Sequence, residues 1–525
     1  MRISPAGSMS AAEISRRGVI CAGAALILAN SARAAQSASV RAPSGSFVGS
    51  TEGGVLAFRG IRYGTAERFQ PPRPVSRPGE TITAQTFGPV APQKDDRYGA
   101  RSEDCLFLNI WTAEAKPAAK KPVMLYIHGG AYSNGSSTDA LNDGQILAAR
   151  GDVVVVTVNH RLNAFGYLYL ARLDPRFPDS GNNGQLDLIL ALQWVRDNIA
   201  SFGGDPSRVM VFGQSGGGAK IATMMGMPAA KGLFHRAATM SGQQVTASGP
   251  LNATRRAQVY LAKLGTTDLS VLLTMPTGKL VDALDAIDPI LGGGVYFGPV
   301  LDMKWLVRHP FWPDANPQSN AIPMILGNTH DETRAFVSPD SARVQTLNWD
   351  NLAEQIAPDL RIDALPEWVV AEYRAKFPDW SPVDIFYQAT TAGRSWRGQV
   401  IEAEARAQAK TNAWVYQLDF TSRTDPRRGA FHSLDIALVF GTLGAKGSQT
   451  GTAADAHAAS AAMQEGFVAF TKTGNPNHAG LPEWPVYDLV RRPTMIFDRR
   501  SHIENDPRKW QRELFARIPY IQPGT

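Results

Sequence analysis

Cysteine is nearly absent from this chain of 525 residues, which contains only Cys21 and Cys105. Cys21 lies in an N-terminal segment that we expect to be removed, so Cys105 is left without a partner in the same chain. A disulfide framework is therefore excluded, and the fold must depend on its core. Hydrophobic residues make up 44% of the chain and charged residues 19%. This composition allows a large core and excludes a wholly disordered or collagen-like protein.

The sequence also lacks the motifs of several functional classes. It has no apolar run that approaches the roughly 20 residues needed to span a bilayer. It contains no H-E-x-x-H motif or cysteine cluster that would bind a metal, and no glycine-rich loop with phosphate-binding spacing. Basic clusters with interleaved aromatic residues are missing as well. We therefore expect no metal or organic cofactor, no nucleic-acid partner and no membrane span in the mature chain.

The N-terminus has the features of an export signal. The segment Ser15–Ile20 contains a twin-arginine pattern, an apolar stretch follows over Val19–Leu28, and small residues stand at cleavage spacing in Ala32–Ala34. The apolar stretch is too short for a membrane anchor. Cleavage after residue 35 would remove four arginines and one glutamate, and so lower the net charge from +6 to +3. These features predict a signal peptide over residues 1–35 and a bacterial protein that is periplasmic or secreted.

The remaining chain, residues 36–525, is predicted to form a single catalytic domain with inserted loops and helices. From Gly53 onward the sequence contains no linker-like run, no repeat and no low-complexity tract. Residues 36–50 are small and polar, and we expect them to form a mobile leader.

Short apolar runs alternate with helical patterns along the chain. This alternation favours an α/β fold with a mostly parallel central sheet and helices on both faces. The predicted strands are Val123–Ile127, Val153–Val158, Arg208–Phe212, Ile322–Leu326 and Trp414–Leu418. The predicted helices are Gln185–Ile199, Ala219–Met227 and Ala453–Thr473.

The segment Gly213–Gly217 fits the pattern G-x-S-x-G and lies between a predicted strand and a predicted helix. This context predicts a sharp turn that projects the hydroxyl of Ser215 as a nucleophile. The two outer glycines lack side chains that would clash across the turn. The N–H of Gly216 begins the following helix, where unpaired amides favour negative charge.

A second small-residue loop, His128–Tyr132, follows the predicted strand that ends at Ile127. Its amides can approach a substrate carbonyl, and two of them together with that of Gly216 would form an oxyanion hole. The spacing alone does not determine which amides of this loop point inward.

A serine nucleophile needs a base and an orienting acid, which follow it in the order acid then histidine in this type of fold. His432 is the favoured base because it follows a predicted strand after a short polar loop, whereas the later histidines lie in a helical stretch or in terminal loops. For the acid, Asp331 and Glu332 both follow the strand that ends at Leu326. The residue pattern alone leaves these two carboxylates as alternatives.

These residues together resemble the type-B carboxylesterases, the family that includes cholinesterases and bacterial para-nitrobenzyl esterases. The resemblance extends from about Gly53 to Phe497. It implies an α/β-hydrolase fold and a hydrolase that needs no cofactor. The strings that carry it are Glu103–Trp111, Gly181–Gly184, Ala191–Val195, Asn198-Ile199, Phe202–Pro206, Lys472–Asn477 and Trp484-Pro485.

The resemblance also implies a role for each site residue. The family's acid is the Glu of an Asp-Glu pair, which is Glu332 here, and its base precedes an apolar run ending in Val-Phe-Gly, which is His432. Gln214 departs from the family pattern, which usually has Glu before the nucleophile, and this weakens any inference of cationic substrates. The oxyanion donors would be the amides of Gly130, Ala131 and Gly216. Ser241 would be a supporting serine near the triad.

The sequence thus predicts a serine carboxylic-ester hydrolase that forms an acyl-enzyme on a small to medium organic ester. Two alternatives remain at this stage. The same triad could cleave amides, carbamates or lactones, or the chain could be a non-catalytic, cholinesterase-like binding protein. Most relatives of this kind are monomers or dimers, and we expect the same here.

Overall fold

The computed structural model describes residues 38–290, 292–522 and 524. The predicted export signal, residues 1–35, lies outside these ranges. Within them, no helix combines the length and apolar character needed to cross a membrane.

Fifteen strands are present in the described part of the chain. They are β1 Ala38–Ala42, β2 Gly45–Glu52, β3 Val55–Arg62, β4 Gly64–Thr65, β5 Arg73–Pro74, β6 Thr81–Thr83, β7 Phe107–Thr112, β8 Lys121–Ile127, β9 Val154–Val158, β10 Gly204–Gln214, β11 Arg236–Met240, β12 Met324–Thr329, β13 Ala413–Leu418, β14 Pro493–Phe497 and β15 His502–Asn505.

The α-helices follow many of these strands and fill the longer connections. They are α1 Gln145–Gly151, α2 Asn163–Tyr167, α3 Asn183–Asn198, α4 Gly216–Met224, α5 Pro250–Leu264, α6 Leu269–Thr274, α7 Thr277–Asp282, α8 Ala342–Gln345, α9 Leu352–Ile356, α10 Pro366–Lys376, α11 Pro382–Thr391, α12 Arg397–Gln408, α13 Leu434–Phe440, α14 Ala454–Thr473 and α15 Lys509–Ala516.

One large sheet holds most of the strands, in the order β1-β2-β3-β7-β9-β8-β10-β11-β12-β13-β14-β15, with β6 paired to β2. The seven strands from β9 to β14 in this order are parallel. The outer strands of this order pair antiparallel, and β6 pairs parallel with β2. The carboxyl ends of the parallel strands therefore meet at one edge of the sheet, where ligands bind in open α/β sheets.

The two faces of the sheet belong to two different apolar clusters. In β8, Val123 and Leu125 contribute to one cluster, and Met124 and Tyr126 contribute to the other. Helix α3 packs on the first face, and helix α14 packs on the second. A parallel sheet covered on both faces needs apolar residues at every position of its strands, which is why the predicted strands appeared as continuous apolar runs.

The mobile leader predicted for residues 36–50 is wrong over the part that the structure describes. Residues from Ala38 onward form β1 and β2, which pair antiparallel at the edge of the sheet. Val40 and Phe47 point into the core. The inward positions of these strands include small alanines and glycines, so their alternating hydrophobic pattern in the sequence is weak.

Candidate active site

Ser215 lies at the turn between β10 and α4, and its backbone is strained. Its φ is 56° and its ψ is −125°, a conformation that residues with a side chain rarely adopt. The turn is fixed on both sides, since the N–H of Ser215 donates to the oxygen of Met240 at 2.7 Å and its oxygen accepts from the N–H of Ala219 at 3.0 Å. The sharp turn predicted from G-x-S-x-G is therefore present, with the serine at its apex.

Two glycines allow this turn to pack against the neighbouring strand. A Cβ added at Gly217 would lie 1.9 Å from the main-chain oxygen of Ile127. One added at Gly213 would lie 2.7 Å from the carbonyl carbon of Gly217. Neither position can hold a larger residue without moving the backbone, so the spacing of the two glycines follows from steric contact.

Glu332 follows β12 and is buried, with 1% of its surface exposed. Its Oε1 accepts hydrogen bonds from Oγ of Ser241 at 2.6 Å, from Nδ2 of Asn328 at 3.0 Å and from the N–H of Thr329 at 2.8 Å. Burial by itself would raise the pKa of Glu332, but His432 and these donors outweigh it and lower the pKa below its usual value. The carboxylate is thus held ionised and in one orientation.

His432 lies against Glu332, and its Nδ1 contacts Oε2 of that carboxylate. On the other side of the ring, Nε2 lies 3.1 Å from Nε2 of Gln214. An imidazole that donates from Nδ1 to a carboxylate carries a lone pair on Nε2, so the Gln214 amide is the donor in this contact. The ring also packs on Phe336, with the two centroids 4.8 Å apart.

Asp331, the alternative acid, faces away from the imidazole. Its Oδ2 accepts from the N–H of Ala430 at 3.0 Å, and its Oδ1 lies 3.3 Å from Nδ1 of His330. Burial would raise the pKa of Asp331, but His330 and Arg334 outweigh it and lower the pKa. This carboxylate therefore braces the loop that leads to His432, whereas Glu332 contacts the ring itself.

The carbonyl groups of Gly129 and Gly130, in the loop after β8, are engaged by other groups of the same loop. Nδ1 of His128 lies 2.9 Å from the oxygen of Gly129, and the oxygen of Gly130 accepts from two later N–H groups at 3.0 and 3.1 Å. Gly130 and Ala131 both have positive φ, at 87° and 51°. A positive φ is uncommon at a residue with a side chain such as Ala131, so the backbone of this loop is held in a strained conformation.

The predicted oxyanion donors are brought together by direct backbone contact. A Cβ added at Gly216 would lie 2.0 Å from the oxygen of Ala131, so the two backbones touch. Among the residues that the structure describes, the N–H groups of Gly130, Ala131 and Gly216 donate to no acceptor. Three unpaired donors therefore lie beside Ser215.

The buried side chain of Lys220 donates a hydrogen bond to the loop that follows β8. Nζ of Lys220 donates to the oxygen of Ala131 at 2.6 Å and lies 5.0 Å from the centre of the Tyr132 ring. The side chain is completely buried, and this burial lowers the pKa of Lys220 to about 7. This feature has a signal in the sequence, because Lys220 interrupts the run of small and apolar residues in α4.

These groups surround a cavity of about 980 Å³, near the upper end of the size range of small-molecule sites. Ser215, Gly216, His432 and Gln214 line it, together with Gly130, Ala131 and Ser241. Ser215 and His432 thus face the same space, although no hydrogen bond joins their side chains in the described structure. The described part of the chain contains no group of three or more His, Cys, Asp or Glu that could hold a metal ion.

Some residues of this site had no signal in the sequence. Phe336 packs on His432, and Arg361 and Arg394 line the cavity. They come from segments between β12 and β13 that carry no motif, so their approach to Ser215 depends on tertiary packing. Asn328 could have been found, because it stands at the end of β12, four residues before Glu332.

Comparison with known proteins shows what this arrangement belongs to. The model of the carboxylesterase family matches residues 36–515. The chain belongs to the carboxylesterase family. It is 34% identical to the para-nitrobenzyl esterase of Bacillus subtilis over 496 residues, which cover 89% of this chain and 96% of that protein. It is 30% identical to the fumonisin B1 esterase of Sphingopyxis macrogoltabida over 459 residues, covering 83% of this chain and 82% of the relative.

The fold agrees with this membership. The crystal structure of a carboxylesterase from Geobacillus stearothermophilus superposes with a TM-score of 0.81 at 34% identity, covering 90% of this chain and 99% of that one. The fold is therefore the α/β-hydrolase fold that the sequence predicted. This carboxylesterase is a serine hydrolase of carboxylic esters. The comparisons do not favour the alternatives of amide, carbamate or lactone cleavage, or of a non-catalytic binding protein.

Proposed function

We propose that Ser215, His432 and Glu332 form the catalytic triad of this carboxylesterase. The observation that carries the proposal is the position of His432. Its Nδ1 contacts a buried carboxylate, and its Nε2 faces the cavity that Ser215 also lines. A base held in this way can accept a proton only through Nε2, which is the nitrogen on the substrate side.

The proposed reaction begins with transfer of the Ser215 hydroxyl proton to Nε2 of His432 as Oγ attacks the ester carbonyl. Glu332 remains ionised and stabilises the imidazolium that forms. His432 then returns the proton to the leaving alcohol, which leaves an acyl group on Oγ. Water attacks this acyl-enzyme with His432 again as base, and the acid is released with Ser215 restored.

The tetrahedral oxyanion of both steps would rest on the N–H groups of Gly130, Ala131 and Gly216. These three donors have no acceptor among the described residues, so they are available to a developing negative charge. Removal of one such donor typically costs about 3 kcal/mol of transition-state stabilisation.

Gln214 and Ser241 have supporting roles in this proposal. The Gln214 amide occupies Nε2 of His432 at 3.1 Å, so it must give up this contact when the Ser215 hydroxyl donates there. Ser241 donates to Oε1 of Glu332 at 2.6 Å. Oε1 is therefore hydrogen-bonded while Oε2, the other carboxylate oxygen, contacts the imidazole.

The test is Ser215→Ala, assayed with a short-chain 4-nitrophenyl ester. We expect kcat to fall by about 10³-fold or more with the thermal unfolding temperature preserved. The exposed Ser270→Ala is the matched control and should keep the activity of the parent. A phosphonate probe should label the parent at Ser215. Turnover at the parental rate in Ser215→Ala, or labelling at another residue, would disprove the nucleophile.

We also propose that residues 36–525 act as one catalytic domain, a monomer or dimer, that is exported through the signal over residues 1–35 to the periplasm or beyond. The twin-arginine pair, the apolar stretch and the small residues at cleavage spacing support this proposal. Expression with Arg16 and Arg17 both changed to Lys should leave an uncleaved precursor in the cytoplasm. Normal processing of that variant would contradict the export route.

A further inference from the structure

Two arginines, Arg361 and Arg394, line the cavity that contains Ser215. We propose that they form a subsite for a carboxylate of the substrate, so that the preferred esters carry a free carboxylate a few bonds from the ester group. The inference rests on the proposed function, because it places this carboxylate in the cavity where Ser215 reacts.

Arg394 stands close to the proposed base. Its guanidinium carbon lies 4.0 Å from the centre of the Phe336 ring, which in turn packs on the imidazole of His432. The side chain is 24% exposed. Only one aromatic ring therefore separates this cation from the reacting groups.

The acid nearest to Arg394 is Asp359, which forms a closer contact with Arg343. Oδ1 of Asp359 lies 3.9 Å from Nη1 of Arg394, which is too long for a hydrogen bond, whereas Oδ2 of Asp359 lies 2.8 Å from Nη1 of Arg343. Burial, and then the like charge of Arg361, lower the pKa of Arg394. Arginine nevertheless stays protonated in proteins, so its charge is only partly compensated here.

Arg361 has a fixed backbone and an unengaged side chain. Its N–H donates to the oxygen of Gly393 at 3.0 Å, and its oxygen accepts from the N–H of Ile521 at 2.8 Å. Its Nε is buried without an acceptor, and no ion pair or side-chain hydrogen bond engages its guanidinium within the described ranges. The two Nη atoms of Arg361 are not fully buried, and they lack an acceptor among the described residues, so a carboxylate in the cavity can accept from them.

The two acids of the cavity lining, Asp139 and Asp288, bind other groups, and Glu332 offsets the charge of Arg394 only at a distance. Oδ1 of Asp139 accepts from the N–H of Leu141 at 2.9 Å, and Oδ2 of Asp288 accepts from Nε of Arg256 at 2.6 Å. Glu332 lies behind the imidazole and accepts three hydrogen bonds besides its contact with His432.

The other charged groups of the lining differ from the arginine pair. Arg97 is paired with Asp95 at 2.5 Å, and Lys446 is exposed. The residue beside the nucleophile, Gln214, is a neutral amide. The space near Ser215 therefore has an excess of positive charge, concentrated at Arg361 and Arg394. A guanidinium is suited to bind a carboxylate, because it can donate two parallel hydrogen bonds to the two carboxylate oxygens.

The test compares two pairs of substrates that differ in one charge. Mono-4-nitrophenyl glutarate and 4-nitrophenyl pentanoate place the carboxylate on the acyl side. The pair 4-acetoxybenzoate and 4-acetoxybenzamide places it on the alcohol side. We expect kcat/KM to favour the carboxylate in at least one pair, and the preference to weaken between 20 and 200 mM salt, as screening requires.

Arg361→Gln and Arg394→Gln should each lower the ratio of kcat/KM for the charged and neutral esters about tenfold or more, since a charge-assisted hydrogen bond is lost. The corresponding Lys variants should keep part of the ratio because they keep the charge. Arg255→Gln removes the same charge from the exposed surface of α5 and should leave the ratio unchanged. The neutral ester, assayed with every variant, shows whether the active site has folded.

A parent enzyme that prefers the neutral ester in both pairs would overturn the carboxylate subsite, as would Gln variants that keep the parental ratio. Failure of the proposed function has a different signature. In that case the parent hydrolyses none of the four esters, or Ser215→Ala hydrolyses them as fast as the parent does.

Discussion

The side-chain amide of Gln214 donates a hydrogen bond to Nε2 of His432, the nitrogen that must take the proton of Ser215 in the proposed reaction. The imidazole is therefore held from both sides, by Glu332 at Nδ1 and by Gln214 at Nε2. The amide must therefore move away from Nε2 before the Ser215 hydroxyl can donate there.

Replacing Gln214 by Glu should break the contact with His432, because a carboxylate cannot donate a hydrogen bond to Nε2. Gln214→Leu also removes the donor, without adding charge, and separates loss of the hydrogen bond from gain of the carboxylate. We expect each variant to change kcat for one chromogenic ester by about fivefold, since a neutral hydrogen bond contributes about 1 kcal/mol. If both variants keep the parental kcat and KM, Gln214 has no influence on the base.

Glu332→Gln and Asp331→Asn form a matched pair of neutralised neighbours. The first removes the charge that stabilises the imidazolium, and we expect kcat to fall by about 10³-fold or more. The second changes a carboxylate that contacts Ala430 and His330 but not the imidazole, so kcat should change less than tenfold. Steady-state kinetics on one chromogenic ester decides between them, and the opposite ranking would mean that Asp331 is the acid.

Gly216→Ala should disturb the oxyanion loop directly, because the new methyl group would meet the main-chain oxygen of Ala131 at 2.0 Å. Overpacking of this kind costs about 1–3 kcal/mol in stability. The displaced amides should also lower kcat by about 10²-fold. Gly278→Ala in α7 is the control, since its Cβ would meet nothing within 4 Å. Equal kinetics and equal unfolding temperatures for the two variants would contradict the contact between Gly216 and Ala131.

Lys220→Met should stabilise the protein more at pH 6 than at pH 10. Burial lowers the pKa of Lys220 to about 7, whereas the unfolded chain keeps the ordinary value near 10.5. Between these two values the unfolded state binds more protons, so the parent gains stability as the pH rises from about 7 to about 10.5. Below pH 7 the full cost of the buried charge remains, and methionine removes it.

Urea unfolding at several pH values measures this difference, with the exposed Lys231→Met as control. The gain of Lys220→Met over the parent should shrink as the pH rises, and a gain that is constant with pH would contradict the shifted lysine. We also expect kcat to fall about tenfold, because the oxygen of Ala131 loses the donor that fixes its loop.

Much of the site could be predicted because its chemistry is tied to local backbone geometry. Ser215 requires a strained turn between glycines, and Gly130 needs a positive φ, so both leave a trace in the sequence. The choice between Asp331 and Glu332 did not leave such a trace. It depends on which way the chain turns after β12, and family resemblance was needed to choose Glu332.

The remaining features depend on where side chains point after folding. The amide of Gln214 could have faced either neighbour, and only the packed structure places it against His432. Arg361 and Arg394 are separated from Ser215 by more than a hundred positions in the sequence, and no periodic pattern connects them. The edge strand β1 was overlooked for a different reason, since alanines at its inward positions carry little hydrophobic signal.

The segments that meet at the cavity follow β8, β10, β11, β12 and β13, which are neighbours in the sheet. A fragment that ends before Ala413 would lack β13, β14 and His432 altogether. Ester turnover can therefore appear during refolding only after the central sheet has assembled across most of its width. The time at which activity returns during refolding therefore reports when the distant strands have paired. The delay between helix formation and the return of activity measures how late the last parallel strands join the sheet.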